Sequence, residues 1–120
     1  MGIKLHPRYF KVEEAKNVLG LAMSRLEAGR SLTIALMVET FLGIAIESNR
    51  TNDLSTRKLP KFEDSFAKEF VKAVLEAEKK YELTAAETAM IMIELATRIQ
   101  VYAIRAERHP NDPEKGGNEA

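Results

Sequence analysis

The stretch Lys4-Leu5-His6-Pro7-Arg8-Tyr9-Phe10-Lys11 interleaves cations with aromatic rings. That mixture clamps phosphates while a ring stacks on a base. Arg25 and Arg30 flank a turn before Ser31, where a new helix is expected to begin, and the free amides of a helix start attract anions. Arg8, Tyr9, Arg25 and Arg30 are therefore the candidate shell of an anionic, nucleotide-like ligand. Arg8 and Tyr9 precede the first helix, over 20 Å from Arg30 at about 1.5 Å per residue. They meet Arg30 most easily across an antiparallel dimer. The competing reading is an arm whose Leu5, Tyr9 and Phe10 pack on the domain while its cations stay solvated.

A second cluster is acidic and basic together. Glu39 stands within VETFLG and Glu94 within MIELATR, each between apolar neighbours, where an unpaired carboxylate costs several kcal/mol. Arg98 follows Glu94 by four residues on the same helical face, and Arg105 continues that face. Glu39, Glu94, Arg98 and Arg105 are expected either to hold a ligand or partner in a polar pocket, or to fix register as a buried or interfacial ion pair.

Other chemistries find little support. A bundle-type di-metal site needs Glu-x-x-His pairs, and neither His6 nor His109 follows a Glu at that spacing. Cys is absent, so neither a thiol nucleophile nor a disulfide framework exists. Ser24 and Ser31 lack a G-x-S-x-G setting, and neither nucleotide-binding glycine fingerprint occurs. No metal or cofactor is indicated, and an enzyme is the weakest of the function classes.

Lys plus Arg equal Asp plus Glu at 18 each, which argues against a reader of duplex nucleic acid. Charge is uneven along the chain: +3 over residues 1–30, zero over 31–60, then −2 and −1 over the last two thirties. No secretory leader is read at the N-terminus, His6 breaks the myristoylation pattern, and Leu32 to Ile46 is too short to span a bilayer. A cytoplasmic protein without a membrane partner is expected.

Periodicity predicts four helices. Apolar residues recur at three-to-four spacing from about Phe10 to Ala28, with Gly29 in the left-handed terminating position and Ser31 as the next N-cap. The second helix, about Leu32 to Ser48, is apolar nearly all round. A polar connection through Pro60 leads to an amphipathic helix from about Glu63 to Tyr81, with Asp64–Lys68 and Glu76–Lys80 at ion-pair spacing. The fourth opens with the capping box Thr84-Ala85-Ala86-Glu87 and runs to about Arg108. The expected fold is all-α: one domain over 1–109, two antiparallel hairpins in a bundle with helices two and four central, then a polar, flexible tail over 110–120.

Helices two and four carry more apolar surface than one bundle core requires, so a homo-oligomer through them is expected. The segment ELTAAE, followed by VYAIRAERHPNDPEKGG, resembles small uncharacterised helical proteins of bacteriophages and prophages. The resemblance implies a mobile-element origin and action by binding. It transfers no site residue. The leading expectation is a non-catalytic module that binds a protein partner through an apolar helix face and the 49–61 loop. The alternative is capture of the nucleotide-like anion.

Overall fold

The computed structural model describes residues 7–108; the expected tail, His6 and His109 lie outside them. Four helices make up the fold: α1 (Pro7–Glu27), α2 (Ile34–Arg50), α3 (Ser65–Tyr81) and α4 (Ala85–Arg108). No strand occurs among the described residues. The molecule is an all-α bundle in which α2 packs chiefly on α4 and α1 on α3.

Local chemistry sets the helix ends. Pro7 opens α1, where its missing N–H has no intrahelical partner to lose. Gly29 adopts φ +78° after α1, the left-handed conformation that lets the chain turn without a Cβ clash. The cap of α2 is Thr33 rather than Ser31: its hydroxyl accepts the Leu36 N–H at 3.0 Å, because the chain stays extended through residues 31–33. Asp64 caps α3 by accepting from Phe66 and Ala67, which takes it away from Lys68. Thr84 and Glu87 form the expected reciprocal box at 3.1 and 2.9 Å.

Side-chain contacts fix the helix directions. Tyr81 donates to Glu14 and Arg30 to Glu69, so the end of α3 meets the start of α1 and the two run antiparallel. Arg8–Glu87 and Lys16–Glu94 join corresponding turns of α1 and α4, which therefore run parallel. The order is up, down, down, up. Successive helices run antiparallel across their short turns, but the packed pairs are α1 with α3 and α2 with α4, and residues 51–64 must return along the length of α2. At about 3.3 Å per residue that segment reaches much further than the roughly 25 Å of α2. Gly43 lets it lie close: a Cβ there would stand 3.2 Å from the Phe62 ring and 3.3 Å from Pro60. One side of the nearly all-apolar α2 thus serves the returning loop.

The core centres on Phe41, Phe66 and Phe70, all fully buried, with Phe41 edge-on to Phe70 at 5.1 Å between centroids. Beside it lies a buried polar knot. Arg57, from the loop, donates to both carboxylate oxygens of Glu78 at 2.6 and 2.7 Å and to the Ser48 hydroxyl at 2.9 Å. Thr88 completes it by donating to Glu78 at 2.5 Å. The Arg57 and Glu78 side chains are 2% and 5% exposed, so neither charge has water to fall back on. Removing one partner leaves a buried, uncompensated charge. Arg57→Met is expected to lower the unfolding free energy by about 3–5 kcal/mol in urea denaturation, and adding Glu78→Met to recover the larger part.

Candidate functional site

The polar residues of α1 and α4 meet in one seam. Arg8 and Val12 recur four apart on α1, while Glu87 and Glu94 recur two turns apart on α4 with Met90 between them. The Arg8 guanidinium binds both oxygens of Glu87 and donates to the Glu82 carbonyl at 2.7 Å. Lys11 reaches the Glu82 carboxylate at 3.0 Å. Lys16, nearly buried, bridges Glu13 at 2.7 Å and Glu94 at 3.0 Å. Arg98 adds the expected pair with Glu94 at 2.8 Å. Arg8, Tyr9, Val12, Glu13, Glu87, Met90 and Glu94 line an open groove of about 300 Å³ here.

These contacts shift the carboxyl groups. The bond from Arg8 holds the Glu87 carboxyl below its ordinary value, against a smaller opposing effect of burial. Lys16 does the same for Glu94, with Arg98 assisting.

The expected anion shell is dispersed over the fold. Arg8 and Tyr9 stand at the first turn of α1, while Arg30 lies beyond its far end and is engaged by the Leu26 carbonyl at 2.6 Å and Glu69 at 2.7 Å. Arg25 is exposed near that same end. The 21 residues of α1 separate the two groups by about 30 Å. Arg8 already neutralises Glu87. Of the second cluster, Glu94 and Arg98 are paired, whereas Glu39 and Arg105 are exposed. Glu39 is not buried because it occupies the outer side of α2, away from the core residues Met37, Thr40 and Phe41. The structure brings Arg8, Tyr9 and Glu94 into one groove, a combination the sequence reading kept in two separate sites.

Two further surfaces stand out, the first not singled out from the sequence and the second part of the apolar excess expected of α4. The first is a groove of about 580 Å³ between the returning loop and α3. Pro60, Phe62 and Val71 form its apolar wall, and Lys61, Lys68 and Lys72 outnumber Glu63 around it. Lys68 and Lys72, one turn apart, were the available signal, but only the loop's return brings Lys61 beside them.

The second surface runs along α4. Met90, Ile93, Thr97, Val101 and Ile104 follow at three, four, four and three residues and share one face, opposite the core residues Met92, Leu95 and Ala96. The four apolar members are 41–52% exposed. Leu42 and Ile46 on α2 are exposed too, at 39% and 54%. On α1, by contrast, Glu14 and Asn17 separate exposed Phe10 from Leu21.

Among the described residues no helix is long and apolar enough to cross a membrane, and no three His, Cys, Asp or Glu side chains gather to hold a metal. In comparisons with known proteins the chain matches no family model, no curated protein and no solved structure.

The lowered carboxyl pKa values set a direction for acid stability. Glu87 and Glu94 bind protons more weakly folded than unfolded, so their contribution is complete above about pH 4.5 and is lost as pH falls through the lowered values. Urea midpoints measured from pH 6 to pH 3 should fall below pH 4.5, and Glu87→Gln with Glu94→Gln should flatten that decline.

Proposed function

We propose that this chain is a non-catalytic helical interaction protein, of phage or prophage type, that self-associates and acts by binding a protein partner. The observation that carries the reading is the apolar stripe of Met90, Ile93, Val101 and Ile104 on the outer face of α4, broken only by Thr97. Burying a large apolar side chain is worth about 1.5–3 kcal/mol, so each half-exposed one has roughly 1 kcal/mol still to gain. Four such residues in each of two copies amount to about 8 kcal/mol. That is of the same order as the 4–15 kcal/mol cost of association. The polar α1–α4 seam supports a binding role over a catalytic one, because its charges are matched to one another.

Sedimentation equilibrium tests the reading. The 13.5 kDa chain is expected to show twice its mass at micromolar concentration. Ile93→Lys, at a 45% exposed position, should weaken the dimer at least tenfold while leaving the far-ultraviolet circular dichroism unchanged. A monomer throughout this range would overturn it.

A second reading, capture of an anionic small molecule, is favoured by one observation, the lysine-rich groove of the 60–72 region. Its size is that of an ordinary ligand pocket. Under this reading ATP binds there in calorimetry, added salt weakens it, and Lys68→Ala with Lys72→Ala abolishes it, while Arg8→Ala leaves it unchanged.

A further inference from the structure

We infer that the partner of the α4 stripe is α4 of a second copy, laid antiparallel about a twofold axis at Thr97; this rests on the self-association reading above and gives it a geometry. The stripe is symmetric about that residue. Ile93 and Val101 lie four positions to either side of Thr97, and Met90 and Ile104 seven. A twofold axis there sets Ile93 against Val101 of the second copy and Met90 against its Ile104. Each contact then occurs twice, as an isologous interface requires. The three-four-four-three spacing averages 3.5 residues, the heptad value that suits two packed helices in a shallow left-handed pair.

Charge supplies the independent argument. Glu87, Glu94, Arg98 and Arg105 form one row beside the stripe, acidic toward the start of α4 and basic toward its end. Antiparallel pairing brings the acidic half of each row against the basic half of the other. Glu94 comes within two residues, about 3 Å along the axis, of the level of Arg98 in the second copy. Glu87 stands at the same offset from its Arg105. A parallel twofold pairing would instead carry the two rows to opposite sides of the helix pair, where they could not meet.

The groove between α1 and α4 fits this arrangement. It lies at the level reached by Ile104 and Arg105 of the second copy, and it offers Tyr9 and Met90 as an apolar wall beside Glu13, Glu87 and Glu94, which Arg8 and Lys16 already engage within the chain. Arg105 is exposed in the single chain and gains a carboxylate environment on pairing.

The chain contains no Cys, so engineered thiols report without background. Thr97→Cys places two thiols at the axis, within reach of a disulfide. Mild oxidation is expected to convert most of this variant to a covalent dimer. Leu75→Cys, on the exposed side of α3, should remain largely uncrosslinked. Ile93→Cys mixed with Val101→Cys should give a crosslinked heterodimer, and each alone should give little. Arg105→Glu, at an exposed position of α4, should weaken the dimer at least tenfold in sedimentation. A dimer that persists while Thr97→Cys stays unlinked would overturn the antiparallel α4 pairing and leave self-association standing. A chain monomeric throughout would overturn both.

Discussion

The buried pair of Arg57 with Glu78 is the constraint on which the arrangement of this bundle depends. Two opposite charges, each almost wholly withdrawn from water, join the returning loop to α3, and the Ser48 and Thr88 hydroxyls tie in α2 and α4. An ion pair of this kind contributes little net stability over apolar side chains of similar volume, but it is costly to break. It therefore acts on specificity. A register in which Arg57 misses Glu78 leaves two buried charges unmatched, so the long connection is held to one path. That path covers one side of α2 through Pro60 and Phe62, and it delivers Asp64 to cap α3.

With that side of α2 covered, the longest exposed apolar stripe lies on the outer face of α4, while α1 and α3 also expose apolar side chains such as Phe10, Leu21 and Leu75. A chain with an even balance of charge and a conventional aromatic core still leaves about half of Met90, Ile93, Val101 and Ile104 open. α4 also continues beyond its packed portion. Its last fully buried residues are Leu95 and Ala96, Ile99 is partly packed, and the following turns are mostly exposed. Among the described residues these overhanging turns are mostly exposed, and packing supplies most of the stability of protein helices.

Much of this was legible in the residues. The stripes of α1 and α3, the Gly29 turn and the Thr84–Glu87 capping box rest on near-neighbour spacing, which a sequence displays directly. The apolar excess of α2 and α4 was visible for the same reason. The contacts that decide the tertiary arrangement were not. Arg57 sits among Ser, Thr, Asn and Asp in a segment that looks like an ordinary polar loop, and its partner is 21 residues away on another helix. Lys16 was hidden likewise, because the seam with Glu94 depends on α1 and α4 running parallel. Even local spacing misled where another bond competed: Asp64 caps α3, and Lys80 turns over the Tyr81 ring, so neither forms its four-residue ion pair.

The outer face of α4 is proposed to be completed by another copy of the same helix. Amide hydrogen exchange along α4, followed as a function of protein concentration, tests this most directly. Residues 100–107 are mostly exposed among the described residues, so their backbone amides should exchange rapidly when the protein is dilute. Their protection should rise with concentration along the same curve as dimer formation, while amides beside Phe41 and Phe70 stay protected throughout. Protection of residues 100–107 that is equal at every concentration, in a protein that does dimerise, would contradict the claim.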